Sequence, residues 1–157
     1  MVQTENGYQP ARQLAQRLKA YKTFYDPEEA ERLGIDDDTL VTPPTAYGNR
    51  IRFKVFEFDN LIDSSNISLD DQIKIAQCVG KHINDYDGFV ICHGTDTMAY
   101  TASALSFMLE NLKKTVVITG SQIPISELRS DAVDNLLGSL MVAGPFQIPE
   151  VVIYFDN

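Results

Sequence analysis

Three short stretches of this sequence place hydroxyl and carboxylate side chains directly after apolar segments. The side chains are Asp63, Ser64, Ser65, Asn66, Thr95, Asp96, Thr97, Ser121 and Gln122. Hydroxyls and backbone N–H groups bind a carboxylate or an oxyanion, and a carboxylate binds an ammonium group. Because few basic side chains accompany them, the stretches favour a small zwitterion, such as an amino acid, as the ligand.

Each stretch also has a simpler structural explanation. Thr95 or Asp96 alone would serve as the cap of a following helix. Ser64, Ser65 and Asn66 are ordinary turn residues. His93 is more typical of a structural histidine than of a base or a metal ligand. The residue types alone leave these explanations open.

Several other kinds of site are not supported by the sequence. The two histidines, His82 and His93, have no cysteine or glutamate partners at metal-ligand spacing. Neither the G-x-x-x-x-G-K-[ST] nor the G-x-G-x-x-G phosphate-binding pattern occurs. The G-x-S-x-G pattern of serine hydrolases is absent as well. The sequence therefore predicts no metal site, phosphate loop or serine-hydrolase elbow.

Strands and helices must bring the polar stretches together. Apolar or alternating runs predict strands at residues 51–58, 88–92, 115–119 and 151–155. Helical periodicity predicts helices at residues 69–85, at 97–111 and from about residue 130. The order β-α-β-α-β-α-β predicts an α/β fold, with a doubly wound, mostly parallel sheet and helices on both faces. Three strand-end loops would then share one edge, where such sheets bind ligands.

The first fifty residues are predicted to carry no chemistry of their own. Apolar spacing indicates a helix at residues 10–22. Asp26, Pro27 and Gly34 indicate the start and end of a second helix. Residues 35–49 are rich in aspartate and proline, which is typical of a connector.

Composition bounds the class of protein and its partners. The length of 157 residues is that of one domain. The net charge of −9 argues against a nucleic acid or an anionic membrane as partner, since no basic stripe exists to neutralise phosphates. No apolar run reaches the roughly 20 residues that span a bilayer. Cys78 and Cys92 are expected to be buried thiols of a reducing compartment, which favours the cytoplasm.

Four motifs, in order, resemble the bacterial-type L-asparaginase family. They are Phe-Asp-Asn-Leu-Ile-Asp-Ser-Ser-Asn at 58–66, His-Gly-Thr-Asp-Thr-Met at 93–98, Thr-Gly-Ser-Gln-Ile-Pro at 119–124 and Glu-Leu-Arg-Ser-Asp at 127–131. The similarity is nearest to the cytoplasmic (type I) branch and its animal relatives, and it covers nearly the whole chain. It implies the flavodoxin-like N-terminal domain of an asparaginase, which hydrolyses asparagine through a covalent intermediate on a threonine. It also implies a homo-oligomer and no metal or organic cofactor.

The resemblance assigns roles to individual residues. Thr95 would belong to a Thr-Lys-Asp set on the far side of the substrate, and Asp96 would bind the substrate ammonium. Ser64, with Asp63 and Ser65, would hold the α-carboxylate. Gly94 and Ser121 would contribute to substrate binding, Ser121 on the amide side. Tyr8 resembles the tyrosine of a mobile lid.

The sequence departs from the family pattern at both ends. The family's Thr-Gly-Gly-Thr-Ile-Gly-Met motif, which carries the usual nucleophile, does not occur in residues 1–157. The family's catalytic lysine follows the last strand, whereas this sequence stops at Asn157, and Lys113 and Lys114 precede a strand on the opposite edge. We therefore expect an N-terminal domain truncated at both ends, without its first strand and without the C-terminal domain, that is inactive alone. A non-catalytic amino-acid-binding or subunit-interacting form, a glutaminase and an amidotransferase subunit remain alternatives.

Overall fold

The computed structural model describes residues 2–5, 7–9 and 11–156, and it divides into two compact units, residues 1–61 and 62–157. In the first unit, β1 (Val2–Thr4) pairs antiparallel with β2 (Gly7–Gln9), and β3 (Thr39–Val41) pairs antiparallel with β4 (Arg52–Lys54). Helices α1 (Leu14–Leu18) and α2 (Pro27–Leu33) lie between these hairpins in the sequence. The unit buries a core that includes Leu18, Phe24 and Leu40.

The two helices of this unit begin and end where local chemistry dictates. The Asp26 carboxylate accepts the Glu29 N–H at 3.2 Å, and Gly34 ends α2 in the left-handed conformation at φ 60°. These bounds were predicted. The helix predicted at residues 10–22 is only five residues long, and Gln13, with a left-handed φ of 65°, sets its start at Leu14. Its first N–H groups donate to the Glu57 carboxylate, a contact that sequence periodicity does not reveal.

The strand predicted at residues 51–58 is wrong in its bounds and in its place in the sheet. It is shorter, Arg52–Lys54, and it pairs antiparallel with β3, in a region predicted to be a connector. It therefore is not the first strand of the parallel sheet, as the strand order had implied. Alternation at a period of two indicates a half-buried strand, but it contains no information on the partner strand.

The second unit contains a parallel α/β sheet, as predicted. Strands β5 (Gly88–Cys92), β6 (Thr115–Thr119) and β7 (Val151–Ile153) lie side by side in that order, with Val117 opposite Val90 and Val152. Helices α3 (Leu69–His82), α4 (Met98–Met108) and α5 (Ala132–Ala143) accompany them. Every residue of β6 is buried, as expected for a central strand covered on both faces.

Helices α4 and α5 cover opposite faces of this sheet. Ile118 forms a buried cluster with Met98 and Leu105 of α4. Gly88 points to the other face, where a Cβ atom would lie 2.1 Å from the carbonyl oxygen of Ala143 in α5. The β5-α4-β6 and β6-α5-β7 crossovers step in the same direction across the sheet. Because their helices lie on opposite faces, the two crossovers have opposite hands, so one departs from the usual right-handed rule.

Helix α3 starts with the predicted capping arrangement. Ser68 and Asp71 form a reciprocal capping box. The hydrogen bond from the Ser68 hydroxyl, and to a smaller extent the one from Lys74 at 3.1 Å, lower the pKa of Asp71 to about 2.

The expectation of two buried thiols is wrong, since Cys78 is half-buried and Cys92 is exposed. Cys92 ends β5, which among the described residues pairs on one side, with β6.

Candidate functional site

The loops that follow β5 and β6 contact each other at the carboxyl edge of the sheet. The His93 N–H donates to the carbonyl oxygen of Thr119 at 2.7 Å. Gly120 lies so close to the His93 carbonyl oxygen that a Cβ atom at this position would be 2.2 Å from it. A glycine is therefore required where the two loops meet.

Segment 63–66 lies against the loop after β5, although β4 is not part of the parallel sheet. Ser64 is 5% exposed and starts a short 3₁₀ turn, Ser64–Asn66. The Asp63 carboxylate accepts the Ser65 N–H at 3.1 Å and the Ser65 hydroxyl at 3.0 Å. A Cβ atom at Gly94 would lie 2.4 Å from the Ser64 Oγ atom. The structure thus brings Ser64 and Gly94 into direct proximity.

Thr95 and Asp96 lie immediately before α4. Thr95 is half-buried and Asp96 is exposed. The N-cap position of α4 belongs to Thr97, and its side chain makes no capping hydrogen bond. The Asp96 carboxylate has no hydrogen bond or ion pair with any other described residue. Helix capping therefore does not account for the acidic side chain at this position.

The loop after β6 carries Ser121 and is held by two residues of the next helix region. Ser121 is half-buried. The Asp131 carboxylate accepts the backbone N–H groups of Gln122 and Ile123, both at 2.9 Å. Partial burial raises the pKa of Asp131, but these donors and the Asn135 side chain outweigh it, so the pKa lies below its ordinary value. Asp131 is therefore a carboxylate at neutral pH.

Asn135 connects three segments at this edge. It is 1% exposed, and its Nδ2 donates to the carbonyl oxygen of Gly120 at 3.0 Å and to Asp131 Oδ2 at 3.1 Å. Its Oδ1 accepts the Asp156 N–H, just after β7, at 3.0 Å. Sequence patterns alone did not indicate Asn135, nor that Thr97 and Asp131 hold these loops in place. The i, i+4 spacing of Asp131 and Asn135 on one helix face was the available signal.

His93 has mainly a structural environment. Its Nδ1 lies 2.6 Å from the carbonyl oxygen of Gly94, and its Nε2 is buried without a partner among the described residues.

No group of three or more potential metal ligands occurs in the described part of the chain. No helix of that part is long and apolar enough to cross a membrane. Tyr8 lies in β2 of the first unit, and its side chain is outside the described part, so its lid role stays a prediction.

A cavity in the second unit lies away from this edge. It has a volume of about 470 Å³ and lies where α3 and α4 end. Its lining includes Gly80, Ile83, Met108 and the two lysines before β6, Lys113 and Lys114. These lysines therefore lie at the amino edge of the parallel sheet, opposite the predicted site residues of the second unit.

Comparison with known proteins agrees with the motifs. The family profile described as "Asparaginase, N-terminal" matches residues 1–157. The mouse protein named 60 kDa lysophospholipase is 49% identical over 148 residues, which are 94% of this chain and 26% of that protein. L-asparaginase 1 of Escherichia coli (strain K12) is 45% identical over 158 residues, which are 100% of this chain and 40% of that protein.

A solved structure gives the same result. The structure of L-asparaginase I from Vibrio cholerae superposes with a TM-score of 0.65 at 55% identity, over 67% of this chain and 32% of that chain. The chain spans well under half the length of the relatives that it matches. The predicted resemblance is confirmed: the chain belongs to the asparaginase family, and its residues 1–157 match the family's N-terminal domain.

Proposed function

We propose that the protein is an L-asparaginase-type amidohydrolase, which converts asparagine to aspartate and ammonia, and that residues 62–157 carry its substrate-binding groups. The observation that carries the proposal is the contact of the buried Ser64 with Gly94, directly before Thr95 and Asp96. This contact supports a single binding site made from segments thirty residues apart in the sequence. No cofactor is invoked.

The proposed roles follow from charge and hydrogen-bonding capacity. The exposed Asp96 carboxylate binds the α-ammonium group, since its charge is not satisfied by any described residue. Ser64 donates a hydrogen bond to the α-carboxylate, beside Ser65, which Asp63 orients. Thr95 and Ser121 face the side-chain amide from the loops after β5 and β6. Preorganised donors of this kind favour an anionic group without reorganisation during the reaction.

The covalent step requires a hydroxyl nucleophile. Its oxygen forms an ester with the amide carbon, the C–N bond breaks, and ammonia leaves with the hydroxyl proton. Water then hydrolyses the ester, which gives aspartate and regenerates the hydroxyl. We assign Thr95 a supporting role, because its His-Gly-Thr-Asp motif matches the threonine of the family's Thr-Lys-Asp set and not the usual nucleophile. We therefore propose that the 157-residue chain alone binds the amino acid without turning it over.

Self-association is the second part of the proposal. Helix α4 is apolar on most of its surface, yet Tyr100 is 72% exposed and Phe107 is 84% exposed. The two residues are seven positions apart, so they lie on one face of α4 as an exposed apolar stripe, which favours a protein contact. We assign this stripe to a second copy of the same chain.

Charge and cysteines bear on other partners and on the compartment. The acidic net charge disfavours a nucleic acid or an anionic membrane as partner. The two free cysteines support a reducing compartment such as the cytoplasm.

Calorimetric titration combined with an ammonia-release assay tests this function. The chain is titrated with L-asparagine, L-aspartate and L-glutamine, and ammonia is measured in parallel. Binding of asparagine and aspartate without ammonia release is expected. Asp96→Asn should weaken binding, whereas Asp70→Asn, which removes an exposed carboxylate from the first turn of α3, should not. Preference for glutamine would assign a glutaminase, and sustained ammonia release would refute the supporting role of Thr95.

A further inference from the structure

Thr97 makes a contact that none of the proposed roles uses. Its Oγ1 donates a hydrogen bond to the carbonyl oxygen of Ser64 at 2.7 Å, across 33 positions of the sequence. A threonine at the N-cap position of a helix usually accepts an N–H from the first helical turn. In α4 this capping bond is absent, and the hydroxyl is directed to the other segment instead.

We propose that Thr97 is a positioning residue, which holds Ser64 in place for the substrate α-carboxylate. This inference rests on the proposed function. The Ser64 carbonyl oxygen also accepts the Ile67 N–H at 3.2 Å, so two donors fix the peptide group that follows Ser64. Gly94 closes the space around the Ser64 hydroxyl, because a Cβ atom there would lie 2.4 Å from Oγ. Ser64 is thus held by a hydrogen bond on its carbonyl and by close packing at its side chain.

The Thr97 bond bears on binding as well as on stability, because substrate binding requires a fixed position of the Ser64 hydroxyl. A hydroxyl that donates to a carboxylate must be held within about 0.5 Å of its productive position. Segment 63–66 contains a single short turn, whose local bonds join Asp63 to Ser65 and to Asn66, and Ser64 to Ile67. Those bonds fix the shape of the turn. The Thr97 bond joins the turn to the strand-end loop that carries Asp96.

A matched control is available one turn further along α4. Thr101 is fully buried, and its hydroxyl accepts a hydrogen bond from the Gln72 side chain at 3.3 Å. Thr97→Val and Thr101→Val each remove one threonine hydroxyl that joins α4 to another segment. Only the first removes a bond to segment 63–66. Thr97→Ser keeps the hydroxyl and should restore the wild-type behaviour.

The test uses two ligands that differ by one group. The ¹⁵N-labelled chain is titrated with L-aspartate and with β-alanine, which lacks the α-carboxylate. Thr97→Val should weaken aspartate binding roughly tenfold, the effect of one lost charge-assisted hydrogen bond. It should leave β-alanine binding unchanged within about twofold of the wild-type value. Thr97→Ser and Thr101→Val should bind both ligands like the wild type.

The outcomes separate this inference from the function on which it rests. If the wild type binds aspartate and Thr97→Val binds it with the same affinity, the role of Thr97 is refuted and the proposed function stands. Equally weakened binding of both ligands to Thr97→Val would also overturn the role of Thr97, because a general loss of structure does not distinguish the α-carboxylate. A wild-type chain that binds neither ligand would refute the proposed function, and the role of Thr97 with it.

Discussion

Replacement of Asn135 by leucine should destabilise the protein and release the loop that carries Ser121. Leucine has the same number of side-chain heavy atoms with the same branching at Cγ, so the change removes three hydrogen bonds and creates no cavity. The partners are the Gly120 carbonyl at 3.0 Å, the Asp131 carboxylate at 3.1 Å and the Asp156 N–H at 3.0 Å. A hydrogen bond contributes about 1 kcal/mol net, so the total is about 3 kcal/mol.

The partners' exposure lowers this figure slightly. Asp131 keeps its two backbone donors, and Asp156 lies at an exposed position where water can replace the lost bond. We therefore expect a loss of about 2–3 kcal/mol, which is a large part of the 5–15 kcal/mol of a typical domain. Urea unfolding monitored by circular dichroism measures this loss. Ser139→Ala is the control, since it removes one buried bond to the Asn135 carbonyl and should cost about 1 kcal/mol.

Asn135→Asp separates hydrogen bonding from charge. The new carboxyl keeps an acceptor for the Asp156 N–H but lies about 3 Å from the Asp131 carboxylate, where the two like charges repel. Repulsion and burial raise its folded pKa above the unfolded value of about 3.9. The protonated carboxyl therefore contributes to the stability of the variant below about pH 3.9, and this contribution is lost as the pH rises through the folded pKa. The destabilisation relative to wild type should grow between about pH 4 and pH 7.

Asn135→Leu has no such group, so its destabilisation relative to wild type should not change over the same pH range. A cost below about 1 kcal/mol for Asn135→Leu would refute the three-bond account. A cost of Asn135→Asp that does not depend on pH would show that the two carboxylates are not close together.

Three further predictions concern packing, titration and association. Gly94→Ala should destabilise the fold and weaken aspartate binding, because its Cβ would collide with Ser64. As a control, the Cβ of Gly80→Ala in α3 meets no atom within 4 Å, so this change should stabilise the protein by about 0.5–1 kcal/mol. Thermal unfolding of both variants distinguishes collision from helix propensity. The Asp71 carboxyl should titrate by NMR with a midpoint of about 2, and its contribution to stability should be lost as the pH falls through that value; a midpoint near 4 would contradict the capping box. Phe107→Lys should shift sedimentation towards a smaller species if a second copy covers α4, and an unchanged mass would refute that contact.

Local sequence patterns predicted the elements whose cause is local. Strand β6 was predicted with its observed bounds, because five buried residues in a row require an apolar or threonine side chain at each position. The start of α3 at Ser68 and the limits of α2 followed from capping residues. The contact between the loops after β5 and β6 followed from the parallel direction of the strands.

Non-local contacts explain what the sequence did not reveal. The antiparallel pairing of β4 with β3 depends on residues that periodicity cannot connect. Thr97 was recognised as a hydroxyl near the site, but its bond to Ser64 depends on a contact across 33 residues. Asn135 resembles any polar residue near the start of a helix until its three partners are known. The exposure of Cys92 depends on its place at the end of β5, which an apolar run does not specify.

An NMR map of aspartate binding on the wild-type chain tests directly whether this edge of the sheet binds the substrate. Backbone amide resonances are followed in ¹⁵N-labelled protein during titration with L-aspartate. We expect coherent shifts at Ser64, at Gly94 to Asp96 and at Ser121, and their loss in Asp96→Asn. Saturating aspartate that leaves these resonances unmoved, or that moves those around Gly80 and Lys113 instead, would contradict the proposal that this edge of the sheet binds the substrate.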